Sequence, residues 1–179
     1  MKLGGIGGGN TQTGIRFEEK TDLLVYLDTK VDGYTVEKVE IGHDIFYEGK
    51  LVAQSFRKHE LYKYLKSKDI DYRQFLSKKL LPDDAIYVIK ENTLYIIEVK
   101  YQQVGGSVDE KLQTCDFKLK QYKKLFSPLN LEVEYIYVLS GWFRNSGYKD
   151  SLDYIISVNC HYYFEYLPLY KIGLPVPKK

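Results

Sequence analysis

Two short stretches carry the side chains best suited to chemistry. They are Pro82-Asp83-Asp84 and, after a spacer of fourteen residues from Asp83, Glu98-Val99-Lys100. Read as a strand, residues 94–101 place Leu94, Ile96, Glu98 and Lys100 on one face and Tyr95, Ile97, Val99 and Tyr101 on the other. Both faces stay apolar as far as Glu98, so an interior strand with an acid and a base at its end is expected. Burying such charges is costly unless they are compensated. Residues 85–89 form a second run of β-formers, and the polar turn at 90–93 closes the two runs into a hairpin. The start of the first run then lies near the end of the second, which brings Asp83 or Asp84 to Glu98. Two carboxylates suit a hard ion such as Mg2+. Lys100 beside them can orient a water and stabilise charge developing on phosphorus. The chemistry implied is metal-assisted hydrolysis of a phosphodiester. The competing reading makes Glu98 and Lys100 a surface ion pair on an edge strand.

The elements around this hairpin follow from periodicity. Residues 1–14 are Gly-rich and polar and read as a flexible loop. A helix is expected over 15–30, where Phe17, Leu24, Leu27 and Val31 keep roughly helical spacing. Residues 34–41 and 45–56 read as short strands with a tight turn at Glu48-Gly49-Lys50, and 59–66 and 70–80 as short amphipathic helices. Leu112, Cys115, Leu119, Tyr122 and Phe126 recur at helical spacing and predict a helix over 107–126. Ser107 and Glu110 form a capping-box pattern at its start. A strand follows at 131–139, then a loop at 140–150. Residues 152–166 read as a strand or a strand-to-helix segment, and the Pro-containing tail as irregular. The order implies an α/β (α+β) chain: a mixed sheet flanked by helices, with a helical crossover in its C-terminal half.

Bulk properties narrow the class. The 179 residues suit a single domain, and 44% hydrophobic residues suffice for a core. The net charge of +2 excludes a protein that coats nucleic acid non-specifically, so contacts with a polyanion must come from local patches. Cys115 and Cys160 are too few for a disulfide scaffold and point to a reducing, cytoplasmic compartment. No apolar run approaches the length of a membrane span.

The spacing of Pro82-Asp83 and Glu98-Val99-Lys100 resembles the motif of the PD-(D/E)xK nuclease superfamily, which includes many type II restriction endonucleases. Two further features fit. Phe17-Glu18-Glu19 stands where the family often carries an additional acid, and Gln102 matches its E-x-K-x-Q variant. The similarity spans about residues 15–140. It implies a restriction-endonuclease-like core in which Asp83 and Glu98 bind Mg2+, or Mn2+ as a substitute. Lys100 would position the attacking water, Glu18 would act as an auxiliary acid, and Gln102 would line the site. Asp84 rivals Asp83, and Glu19 rivals Glu18. The function implied is a homodimeric endonuclease cutting double-stranded DNA at a short sequence. The alternatives are a structure-selective or repair nuclease on the same core, or an inactive DNA-binding module.

DNA contacts are expected from three regions. Asn10, Thr11 and Gln12 lie in the Gly-rich loop, and Lys111 sits near the start of the helix after the motif. The other lysines of that helix read as solvated. Arg144, Asn145 and Lys149 belong to a loop of mixed aromatic and polar residues, within a possible recognition region at 141–179.

Overall fold

The computed structural model describes residues 14–16, 22–102 and 108–177. Glu18, Asn10, Thr11, Gln12 and Ser107 lie outside the described residues, as does most of the Gly-rich segment.

Seven strands form one mixed sheet in the order β2-β3-β4-β5-β6-β7-β8. The antiparallel part comprises β2 (Tyr34–Lys38), β3 (His43–Tyr47), β4 (Lys50–Ser55), β5 (Asp84–Val88) and β6 (Thr93–Lys100). Then β7 (Glu132–Leu139) and β8 (His161–Phe164) continue it in parallel. Sequential hairpins build the first part. Glu48 and Gly49, both at positive φ, turn β3 into β4. Parallel pairing requires crossovers. These are supplied by α3 (Val108–Leu112) with α4 (Cys115–Phe126), and by α5 (Lys149–Ser157).

Strand alternation divides the core. Leu94 and Ile96 of β6 face the side covered by α4, α5 and α2 (Glu60–Ser67). Tyr95 and Ile97 face the other side, against α1 (Leu23–Lys30) and a two-stranded sheet of β1 (Gly14–Arg16) with β9 (Tyr166–Pro168). The central hairpin and the crossover before β7 match the sequence expectation, and so does the tight turn. No helix among the described residues is long and apolar enough to cross a membrane.

Several local expectations are corrected. The helix expected over 15–30 begins only at Leu23, because Asp22 accepts from the amides of Leu24 and Val25 and so starts it there. Residues 14–16 are strand. Residues 70–80 are not an α-helix: Asp71 caps a single 3-10 turn, Tyr72–Gln74, and irregular backbone with a bend at 77–78 follows to Pro82. The helix after the motif is broken at Gln113-Thr114 into α3 and α4. Residues 140–150 are compact, with two 3-10 turns leading into α5. Residues 152–166 contain the end of α5 and then β8. Even the tail gains order through β9 and the 3-10 turn Leu169–Ile172.

Candidate active site

Glu98 lies near the end of β6, an interior strand of the sheet, and is 5% exposed. The edge-strand reading of its ion pair with Lys100 is therefore overturned. Lys100 Nζ lies 2.8 Å from Glu98 Oε2, as alternation on one strand requires. Each Glu98 oxygen has its own ammonium, because Lys118 Nζ of α4 lies 2.7 Å from Oε1. Burial opposes ionisation of Glu98, but Lys100 and Lys118 together outweigh it and hold the carboxyl below its usual range.

The register of the hairpin separates the two aspartates. Asp84 pairs with Ile97, so one further step puts Asp83 across from Glu98, on the same face. Asp83 is exposed, and its Oδ2 accepts from the Val99 amide at 3.0 Å, just past the last rung of the ladder. Asp84 points to the opposite face, where it is buried and meets Arg57 Nε at 2.8 Å. The same guanidinium forks onto both oxygens of Asp22, at 2.7 and 2.9 Å. Arg57 thus clamps the start of α1 to the start of β5. Burial pushes the Asp84 carboxyl up to about 6 despite Arg57. The exposed side of the clamp behaves oppositely, since the Arg57 hydrogen bond draws Asp22 down to about 2.

Two tyrosines of β7 floor the site. Tyr137 is opposite Glu98 in the parallel register and donates to the Lys111 carbonyl at 3.1 Å. The Tyr135 hydroxyl is fully buried and has no hydrogen-bond partner among the described residues. Burial raises it far above its usual range, and the adjacent Glu98 carboxylate raises it further. Gln102 is fixed through its backbone: its amide donates to Ser140 Oγ at 3.1 Å, and that hydroxyl donates back to the Gln102 carbonyl at 2.9 Å.

Compared with known proteins, the chain matches no family model, no curated protein and no solved structure.

Among the described residues, no three His, Cys, Asp or Glu side chains gather into a metal-binding group. The donors present still fit a hard divalent cation: Glu98 and Asp83 offer carboxylate oxygens at the same end of the hairpin. Cation entry requires at least one lysine to leave its Glu98 oxygen. Glu98, Asp83, Lys100 and Lys118 together carry no net charge, so a divalent ion makes the site positive and suited to a phosphate.

Sequence reasoning missed Lys118, which it left among the solvated helix lysines. Its position one turn before Tyr122 and next to Leu119 on a core-facing helix is the signal that could have found it. Lys111, singled out instead, has an exposed side chain. The residues of the 141–150 segment have internal engagements. Arg144 stacks 4.3 Å from the Phe164 ring centroid, Asn145 accepts from the Gly147 amide, and Lys149 pairs with Asp153.

Proposed function

We propose that this chain is a metal-dependent endonuclease that hydrolyses double-stranded DNA at a short specific sequence. In this reading it is a type II restriction enzyme with a restriction-endonuclease-like core, working as a homodimer in the cytoplasm. One observation carries the reading: Glu98, buried on an interior strand, is gripped by Lys100 and Lys118, with Asp83 next to it across the hairpin. Asp83 and Glu98 would hold Mg2+, or Mn2+, which supplies Lewis acidity at the phosphoryl group when bound. Lys100 and Lys118 keep Glu98 ionised and, once displaced from it, present positive charge to the phosphoryl oxygens. Tyr135 sets its hydroxyl beside the Glu98 carboxylate. The apolar surroundings of β6 and β7 strengthen each of these interactions relative to water. Arg57, Asp22 and Asp84 hold the hairpin in place from the other face.

The test is incubation of the full chain with plasmid DNA and Mg2+, followed by sequencing of the fragment ends. Ends at one short sequence are expected, together with loss of cleavage in Glu98→Gln. No nicking in either Mg2+ or Mn2+ would refute the reading, and so would full activity in Glu98→Gln.

A further inference from the structure

We infer that the segment joining β4 to β5, α2 with the 3-10 turn after it, is a track for the phosphate backbone of duplex DNA. The track leads into the candidate active site. The identity of the polyanion rests on the nuclease reading above; the charge and geometry of the track stand apart from it.

The segment is strongly basic. Residues 57–79 hold eight Lys and Arg against three Asp and Glu, a net +5, whereas the whole chain carries only +2. Most of this charge is uncommitted. Lys58, Lys63, Lys66, Lys68, Lys78 and Lys79 are exposed, and none pairs with a carboxylate among the described residues. Two of the three acids are already engaged: Glu60 by Lys38, and Asp71 by Arg73.

The shape suits a chain of phosphates. A concavity of about 470 Å³ opens between α2 and the turn, lined by the cations Lys66, Arg73 and Lys79, the acids Asp69 and Asp71, of which Asp71 is held by Arg73, and the apolar faces of Tyr62, Ile70 and Tyr72. Lys79 Nζ lies 5.0 Å from the Tyr62 ring centroid and 5.1 Å from that of Tyr72, so its cation is steered over the concavity. The eight residues of α2 cover about 12 Å of helix, on the scale of several phosphate steps of a duplex strand rather than of one small anion.

The track is joined to the site. Leu61 and Leu65 of α2 pack on the sheet face that carries Glu98. The Tyr62 hydroxyl donates to the Leu80 carbonyl at 2.8 Å and accepts from the Leu80 amide at 2.7 Å, which fixes Lys79 beside α2. The Pro82 carbonyl accepts from the Lys58 amide at 3.3 Å, and Asp83 follows directly. A backbone lying on Lys66 and Lys79 is thereby delivered toward Asp83 and Glu98.

The experiment measures binding of the full chain to a labelled mixed-sequence duplex in EDTA, where nothing is cut, across a series of salt concentrations. Lys66→Gln with Lys79→Gln keeps both aliphatic stems and removes two charges. It should lower the magnitude of the slope of log K against log salt by about 2 and weaken binding at every duplex sequence alike. Lys66→Arg with Lys79→Arg should restore the slope, and both variants should melt like the wild type. An unchanged slope in the glutamine variant would overturn the track. So would absence of duplex binding by the wild type, or equal binding to single strands or RNA. Cleavage is scored separately. Charge-dependent binding without cleavage in Mg2+ or Mn2+ defeats the nuclease reading alone. Cleavage with an unaltered salt slope in the glutamine variant defeats the track alone.

Discussion

Lys118 Nζ lies 2.7 Å from Glu98 Oε1 although the two residues are twenty apart in the chain and belong to different elements. The contact fastens α4 to the end of β6 and gives the second oxygen of a buried carboxylate its own ammonium, Lys100 serving the first. Replacing Lys118 with Met should raise the Glu98 carboxyl, because one of two lowering charges is lost while burial persists. It should also cost about 1–3 kcal/mol of stability. Carboxyl-carbon NMR titration and denaturant unfolding check the two parts. An unshifted Glu98 would show that the lysine is a bystander.

The two aspartates of the hairpin should behave differently. Asp83→Asn leaves the Arg57 clamp intact, so it should lower Mg2+-dependent cleavage at least about 100-fold while changing stability by less than about 1 kcal/mol. Asp84→Asn removes the charge partner of a buried guanidinium link and should act mainly on stability, by about 1–3 kcal/mol. Cleavage rates and urea midpoints measured side by side decide between them. If Asp84→Asn kills activity at full stability, the roles are reversed.

Tyr135→Phe deletes a buried hydroxyl that has no protein partner. Stability should stay level or rise by up to about 1 kcal/mol, since an unpaired polar atom leaves the core. A slower cleavage rate in a protein of unimpaired stability is the expected signature of a hydroxyl that acts on Glu98. Cleavage at the wild-type rate would remove Tyr135 from the mechanism.

Acid stability should carry the mark of Asp22. Its folded-state carboxyl is drawn down to about 2 from 3.8, chiefly by the hydrogen bond with Arg57. The stability it contributes is therefore fully present above about 4 and is lost as the pH falls from there towards 2. The side chain is 42% exposed, so screening holds the ionic part to under about 1 kcal/mol. Asp22→Asn retains a helix cap and should flatten the stability profile in that window alone. Unfolding by urea at a series of pH values reads this directly.

The parts of the fold governed by short-range alternation were legible in the sequence. Residues 94–100 declare their two faces through a period of two, and the turn after residue 88 declares the hairpin. Glu98 and Lys100 were found as neighbours for that reason. Lys118 was not, because five lysines of the helical region look alike until packing selects which one faces the sheet. The choice between Asp83 and Asp84 needed the register, which a sequence leaves open by one residue, and one residue reverses the face. Residues 70–80 have enough apolar side chains for a helix. Tertiary contacts with α2, including Tyr62 on Leu80, win over that local preference.

The pairing of β1 with β9 bears on the order in which the chain is made. Ile15 is fully buried and sits opposite Leu167, so β1 has no hydrogen-bond ladder to join until residues 166–168 have left the ribosome. The central hairpin can close as soon as its own residues emerge. Synthesis thus yields the central sheet before the β1–β9 seal, and a chain halted before residue 166 leaves Gly14–Arg16 without a mate.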